Sequence, residues 1–579
     1  MSGIWLAAAG LAIFFIGYRF YSRFIASKIY QLDESFTTPA HTYRDEVDFV
    51  PTNRWVLWGH HFTSVAGAAP IVGPAIAVYW GWLPALLWVI FGTVFAAGVH
   101  DFGTLVLSVR NKGQSVGTLA QKLIGKRAKL MFLFIILILV LMVNAVFAWV
   151  ISNLFVTFPA SFLSVFIQIP LAIWIGFAVH RKNSGMLWAS LLALLAMYLA
   201  AFAASYIPAL QIDLVSWFGS SNEAVFIGLN STSLAFFVWI VVLMVYVYIA
   251  STLPVWMLLQ PRDYINSHQL ILGLLLFYSG LLFLNPEITA PAINEGADDP
   301  SWFPLLFITI ACGAISGFHG LVSSGTSSKQ LNKETDARFV GYLGAVGEGA
   351  LALISIIAVV TVFGRQSDFL ATYSSFGQAG AEGLGVFVRG AGNLISGVGI
   401  PAQAGQTIVA VIVVSFAATS LDTSVRLMRY IISELGQEYR VDWLTKKHVA
   451  TSIAVVTSAM LVLLPEGPKG FGSGGYLLWP LFGTSNQLLA GISFLLISLW
   501  LKKLGRNYIY TIIPMAFILF MTLWAMVQQV VFQWSGMGVQ EANWLLFTLG
   551  AIILSFTFWI LVESIRAIRG GTAEGLEEA

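Results

Sequence analysis

Three of the eight histidines lie in two short polar stretches that interrupt long apolar runs. The first reads Trp58-Gly59-His60-His61-Phe62-Thr63-Ser64-Val65-Ala66-Gly67-Ala68-Ala69-Pro70. The second reads Ser316-Gly317-Phe318-His319-Gly320-Leu321-Val322-Ser323-Ser324-Gly325-Thr326. In each, a His precedes hydroxyl residues and a Gly (Gly67, Gly325) follows six positions on. Imidazole can switch its proton near neutral pH, ligate a metal, or bond to backbone at a break. Adjacent histidines face different sides of a helix, and HExxH spacing is absent, which argues against a metal. Pro70 and Pro74 remove backbone donors, and Gly67, Gly73, Gly317, Gly320 and Gly325 loosen a helix. An unwound segment frees N–H and C=O groups at membrane depth. Half-helix N-termini suit a carboxylate, and exposed carbonyls suit a cation. Thr63, Ser64, Ser323, Ser324 and Thr326 add hydroxyls fit for either role.

Ionisable residues within apolar runs are functional hypotheses because their burial is costly. Glu348 lies nearest the centre of such a run, and Asp101, preceded by His100, lies in an inner half. Asp422 sits in Ala418-Thr419-Ser420-Leu421-Asp422-Thr423-Ser424, and each of the three acids is a candidate proton carrier. Asp422 has an alternative, an ion pair with Arg426 one turn away. Thr419, Ser420 and Thr423 could ligate Na⁺ with unwound carbonyls or bond within their own helix. Asn486 and Gln487 lie mid-run and could line a cavity, whereas Asn144 is expected to join helices. Lys329 and Lys333 read as topology anchors, and Trp80 and Trp82 as interfacial belt residues.

The elements that must position these residues are membrane helices. Hydrophobic residues make up 58% of the chain and charged residues 10%, against roughly 25% charged in soluble domains. Apolar runs of about 20 residues, enough to cross a bilayer core of ~30 Å, recur throughout. A single cysteine, Cys312, excludes a disulfide framework and a Cys-based metal site within one chain. The run Ile4 to Tyr18 is followed, not preceded, by Arg19, Arg23 and Lys28, the reverse of a signal peptide. It is read as a first spanning helix with its N-terminus outside.

Fifteen spans are expected, at 4–22, 55–79, 83–109, 130–152, 160–179, 185–206, 233–258, 268–285, 303–326, 339–363, 404–430, 447–465, 475–500, 509–532 and 543–565. Loops 23–54, 110–129, 180–184, 259–267, 327–338, 431–446 and 501–508 and the C-terminal tail then face the cytoplasm. Of 30 Lys and Arg, only Arg365, Arg389 and Lys469 fall outside, as the positive-inside rule requires. The outer loop 286–302 is acidic, with Glu287, Glu295, Asp298 and Asp299. Within 364–403, Leu384 to Ile400 could be re-entrant, and Phe155 to Pro159 could join the fifth span or lie in the interface.

The two interrupted spans cross in opposite directions and begin equivalent sets of seven, or units of five with two further helices after each. That is the pattern of an inverted-topology repeat. The chain divides into an N-terminal helix and loop (1–54), a first repeat with extra helices (55–285), a second repeat (303–500) and C-terminal helices with a tail (501–579). Small residues serving only helix packing are the alternative.

Several stretches resemble the carbon starvation protein A family of bacterial inner-membrane transporters. They are Trp58-Gly59-His60-His61-Phe62, Val99-His100-Asp101-Phe102, Leu253-Pro254-Val255-Trp256, Gln260-Pro261-Arg262-Asp263-Tyr264 and Asn285-Pro286-Glu287. The longest runs from Phe307 to His319, through Ser323-Ser324-Gly325-Thr326, to Glu334-Thr335-Asp336-Ala337-Arg338. The resemblance implies uptake of peptides or of pyruvate, with proton coupling for pyruvate carriers. It also implies the amino acid–polyamine–organocation core, two inverted five-helix units with broken first helices. Spans two and nine would be those helices, span eleven would carry the hydroxyl patch, and spans seven and eight would be extra.

The expected function is secondary active import of a small carboxylate or short peptide across the bacterial inner membrane. His60, His61, Thr63, Ser64, Gly67, His319, Ser323, Ser324, Gly325, Thr326 and Asn486 would form the substrate site. Asp101, Glu348, Thr419, Ser420, Asp422 and Thr423 would serve the coupling ion, H⁺ or else Na⁺. No cofactor, metal or nucleic acid is expected. The alternatives are a channel for small organic anions and a membrane-embedded enzyme with His60, His61, Asp101 and His319 as metal ligands.

Overall fold

Glycines at positive φ mark several points where the apolar runs stop being helical, among them Gly67, Gly81 and Gly313. A computed structural model describes residues 1–570 except 46–47, 183–185, 298, 468–469 and 537–541. Asp298, Lys469, part of the 180–184 loop and the tail from 571 therefore lie outside the described residues. The described residues form helices and isolated bridges, without a β-strand.

In chain order the principal helices are α1 (Gly3–Ile29), α2 (Arg54–Ala66), α3 (Ala69–Ala77), α4 (Trp82–Val109), α5 (Lys126–Thr157) and α6 (Ser161–Lys182). Next come α7 (Met186–Tyr206), α8 (Ser231–Thr252), α9 (Leu259–Leu284), α10 (Trp302–Thr309), α11 (Gly317–Gly325) and α12 (Leu343–Thr361). The last are α13 (Phe376–Ser396), α14 (Ala402–Glu438), α15 (Lys447–Leu463), α16 (Gly474–Lys503), α17 (Ile509–Val527) and α18 (Trp544–Gly570). Twelve described helices are long and apolar enough to span a membrane, or 13 with the α2–α3 pair, which bends by 43°. The pair α10–α11 and the 17-residue α15 occupy the other two expected positions. Length and composition alone therefore support 13 of the fifteen spans.

Burial separates the centre from the rim. The apolar windows of α14 and α16 are 100% buried, whereas those of α6, α7 and α18 are 33%, 28% and 28% buried. Side chains such as Trp188, Leu192 and Leu199 on α7 are exposed, which suits a helix facing lipid. Helix α5 continues to Thr157, so Phe155 belongs to the fourth span and only Phe158, Pro159 and Ala160 are left as a link.

Contacts sort the loops onto two faces, as the charge pattern requires. On one face Arg110 meets Glu334 at 2.5 Å, Lys129 meets Glu438 at 3.1 Å, and Arg506 donates to Tyr30 O at 2.6 Å. These join loops 23–54, 110–129, 327–338, 431–446 and 501–508, the Lys/Arg-rich side called inner here. On the opposite, outer face, Ile288 N donates to Met1 O and Thr289 N to Val360 O. Trp80 Nε1 donates to Pro300 O at 2.8 Å on that face.

The broken helices run antiparallel, because α2 packs on α11 while α3 packs on α10. Equivalent pairings recur around them. The first broken helix packs along α9 and the second along α16, while α5 pairs with α14 and α8 with α15. The fifth helix of the first unit is therefore α9. The inserted pair is α6–α7, spans five and six, and not spans seven and eight as expected. The reason is local: α6 and α7 are each other's main partners and sit on the outside of α9 and α14.

The stretch 364–403 is not a span. Tyr476 at the outer start of α16 donates to Gly377 O at 2.7 Å, near the start of α13. At the other end, Gly397 lies against Gly280 O and Leu284 at the outer end of α9. Both ends of α13 thus rest on the outer rim, and the helix lies across it over α3. Beneath it, Gly73 of α3 is so close to the end of α10 that a Cβ there would collide with Thr309 O. Gly73→Ala is expected to destabilise the protein by about 1–3 kcal/mol, read as a lowered unfolding midpoint of the purified protein.

Candidate functional site

Both breaks are real, and the second is displaced from its expected place. In the first, Gly67 adopts φ 43°, ψ −157°, a conformation closed to other residues, and α3 starts at Ala69 without a side-chain cap. His60, His61, Thr63 and Ser64 precede the break as the buried inner half-helix. In the second, the chain unwinds over 310–316, with Gly313 at φ 94°. Ser323, Ser324 and Gly325 are helical and lie toward the inner end of α11, with Thr326 as its C-cap, well away from the break. Their glycine-rich sequence serves packing instead. Gly317 sits on Asn486 O, Gly320 on the His100 ring and Gly325 on Leu427. Thr63 to Gly67 thus lead into the first break, whereas Ser323 to Thr326 lie at the far end of α11 from the second.

Asn486 secures the second break. Its Oδ1 accepts from Phe318 N–H at 2.8 Å and Ser316 Oγ at 3.2 Å, capping the start of α11. Its Nδ2 donates to Ser316 Oγ at 3.0 Å and Cys312 Sγ at 3.2 Å. The first break keeps an uncapped half-helix N-terminus instead, and there Ser420 Oγ donates to Ser64 O at 3.2 Å while Ser64 Oγ has no partner.

Four titratable side chains from three helices converge beside the second break, all fully buried. His100 Nδ1 lies 2.8 Å from Asp101 Oδ1. Asp101 Oδ2 lies 2.8 Å from His319 Nδ1, and His319 Nε2 lies 3.3 Å from Glu348 Oε1. Glu348 Oε1 also accepts the Gly313 N–H at 3.0 Å, inside the unwound segment. His319 therefore has a carboxylate at each ring nitrogen. The row His100–Asp101–His319–Glu348 sets four proton-carrying groups side by side, the last step a 3.3 Å approach without a formed hydrogen bond, and its last member touches the break itself. Helix α12 can approach because Gly344, one turn before Glu348, makes room for the His61 ring. One histidine from each broken helix thus rests on α12.

The histidines divide further. His61 Nδ1 pairs with Ser327 Oγ at 2.9 Å, and His60 Nδ1 with Asp263 Oδ2 at 2.7 Å. His60 and His61 therefore do not join Asp101 and His319 in one ligand set. Among the described residues no group of three or more His, Cys, Asp or Glu could hold a metal.

Asp422 does not pair with Arg426. Its partner is Arg262 of α9, whose Nη1 donates to both Asp422 Oδ2 and Tyr246 Oη. Tyr246 in turn donates to Asp422 Oδ2 at 2.8 Å. The stretch 259–267, expected as a loop, is the first turns of α9, with Pro261 near its start. Its charges are tolerated because each finds a buried partner, Arg262 on Asp422 and Asp263 on His60. Arg262, Asp263 and Tyr246 are the site residues that sequence reasoning missed. The signal was the Gln260-Pro261-Arg262-Asp263-Tyr264 run, whose charges sit at the edge of an apolar stretch.

The hydroxyl patch does not converge. Thr419 donates to Ser415 O at 3.1 Å and accepts from Asn266 Nδ2 at 2.7 Å. Ser420 alone reaches the first break, and Thr423 lines a cavity at the inner face. Asn144 joins helices as expected, donating to Ser458 Oγ at 3.0 Å. The Gln487 amide, fully buried, has no hydrogen-bond partner. Lys329 lies over the Phe49 and Tyr430 rings, and Lys333 pairs with exposed Glu34 at 3.5 Å.

The family model described as "Carbon starvation protein CstA" matches residues 2–525. A peptide transporter CstA of Campylobacter jejuni is 33% identical over 586 residues, covering 92% of this chain and 80% of the relative. The pyruvate/proton symporter BtsT of Escherichia coli is 30% identical over 609 residues, covering 91% and 81%. Among solved structures, a manganese transporter of Eremococcus coleocola aligns over 91% of this chain and 99% of its own, at 13% identity and a TM-score of 0.45. The family match spans both broken helices and the four-residue chain between them, and relatives at this identity align over nine-tenths of the sequence. The chain belongs to the carbon starvation protein CstA family.

Proposed function

We propose that this protein is a proton-coupled importer of pyruvate or short peptides in a bacterial inner membrane, working by alternating access. The observation that carries the reading is the His100–Asp101–His319–Glu348 row ending on the unwound backbone at Gly313. A proton gained or lost by Glu348 alters the bond that anchors the second break. Proton occupancy and break geometry are then one variable. The substrate carboxylate would sit at the start of α3, which has no side-chain cap and where the half-helix dipole favours an anion. Ser64 Oγ and the Ser420 hydroxyl lie beside that position. Only a difference in affinity between outward and inward states can couple ion to substrate. Helix α13 covers the outer end of α3, and a narrow cavity opens at the inner face.

The names of the relatives, a peptide transporter and a pyruvate/proton symporter, support this substrate range and a proton rather than sodium. The scattered hydroxyls of α14 favour the proton independently. The test uses purified protein in liposomes, offered pyruvate and dialanine separately under an imposed pH gradient and then a sodium gradient. Accumulation under the pH gradient alone is the expected result. Flux without accumulation would make the protein a channel. Absence of flux for both solutes would remove this substrate range.

A further inference from the structure

A cavity at the inner face contains charges that the coupling row does not use. It is lined by His60 of α2, Thr326 and Lys329 below α11, Thr423 and Arg426 of α14, and Asp48. The cavity volume is about 30 Å³, room for a few waters. Three buried polar atoms of its lining residues have no partner: Arg426 Nε, Thr423 Oγ1 and His60 Nε2.

Arg426 is the unusual member. It is 6% exposed, and its Nη2 donates to the carbonyls of Ala250 at 3.2 Å and Leu253 at 2.8 Å. Those carbonyls fix the guanidinium without neutralising it. The acid one turn away, Asp422, is committed to Arg262. Among the described residues no carboxylate lies within 4.0 Å of the Arg426 or Lys329 cation. A buried charge without a counter-ion is costly. That buried cation, with half-buried Lys329 at the same small cavity, the unpaired Thr423 hydroxyl and the free His60 Nε2, makes a built site for an anion. Asp48 is the one acid in the lining, and its Oδ1 accepts from Tyr430 Oη at 3.5 Å.

We infer that this cavity is a second carboxylate site, which receives the carboxylate group of the transported solute between the first break and the cytoplasm. It rests on the transport reading and adds a distinct locus to it. Arg426 holds the carboxylate through Nε, Thr423 donates a hydroxyl bond, His60 offers its free ring nitrogen, and Lys329 supplies the second positive charge. The solute passes along the inner half-helix of α2, whose residues run from the break at Gly67 to His60.

The test is equilibrium binding of pyruvate, and separately dialanine, to the purified full-length protein by isothermal titration, with chloride as a control anion. Wild type should bind two carboxylates per chain. Arg426→Gln should bind one, and Thr423→Val and Lys329→Gln should each weaken one of the two sites at least about tenfold, the value of one lost charge-assisted bond. Arg426→Lys should bind two again. If wild type and Arg426→Gln both bind one, the inner site is absent while the central site stands. If wild type binds one and Arg426→Gln none, the inner site stands and the central site fails. No binding by wild type, or equal displacement by chloride, overturns the proposal. If Arg426→Gln does not yield monodisperse protein, the Thr423→Val and Lys329→Gln isotherms decide, and unchanged values in both overturn it.

Discussion

Replacing Glu348 by glutamine is expected to abolish accumulation of solute against its gradient while leaving exchange of solute for solute. Glutamine keeps the size of the side chain, and its amide oxygen can still accept the Gly313 N–H that Glu348 holds at 3.0 Å. The break therefore keeps its anchor. What disappears is a titratable group at the end of a sealed row, 3.3 Å from His319 Nε2. A gradient of about one pH unit is worth about 1.4 kcal/mol per proton, enough for about tenfold accumulation with one proton per solute. In liposomes the variant should equilibrate at an accumulation ratio of about one, with counterflow within a few-fold of wild type. Undiminished accumulation in Glu348→Gln would remove this residue from the proton path.

The second large effect is on stability. Arg262 and Asp422 form a fully buried pair that joins α9 to α14, with Tyr246 of α8 closing the triangle. Removing Arg262 leaves the Asp422 charge uncompensated, a loss of about 3–5 kcal/mol, and removing Asp422 leaves Arg262 only the longer contact to Asp263 at 3.9 Å. Arg262→Met or Asp422→Asn should each lower the unfolding midpoint of the purified protein strongly. The double variant Arg262→Met, Asp422→Leu should recover most of the loss, because well-packed apolar residues replace a buried pair at little cost. Additive losses in the double variant would show that the pair is not coupled. Arg426→Gln should lower the midpoint less, because within the protein the Arg426 guanidinium donates to backbone carbonyls and leaves no carboxylate side chain unpaired.

The sequence was a good guide to which residues matter and a poorer one to what they touch. Asp101, Glu348 and His319 stand out because charge and imidazole within apolar runs are costly to bury. That they form one row depends on α4, α11 and α12 meeting, which no local pattern encodes. The Asp422–Arg426 assignment followed helical spacing. It failed because Arg262, 160 residues away, offers a buried charge that needs an acid more than Arg426 does. The same residue falls in an expected loop because positive charge marks loop ends, and a buried pair hides its place in a helix. The break at Gly67 was legible from Gly67 and Pro70. The second was set too far along the chain, because the glycines of α11 read as flexibility and act as packing surfaces against Asn486, His100 and Leu427. Span order and opposite crossing were legible from apolar length and charge. The inserted pair was not, because only packing shows that α9, and not α7, lies along α2.

The central claim is that solute binding and protonation of the His319–Glu348 row are linked. Linkage is reciprocal, so a proton that favours solute binding must be taken up when solute binds. The direct measurement is proton uptake by purified protein in weak buffer, followed with a pH indicator as pyruvate is added. Wild type should take up about one proton per coupled pyruvate, and Glu348→Gln should bind pyruvate without uptake. Equal uptake by both proteins, or pyruvate binding by wild type with no uptake, would contradict the account.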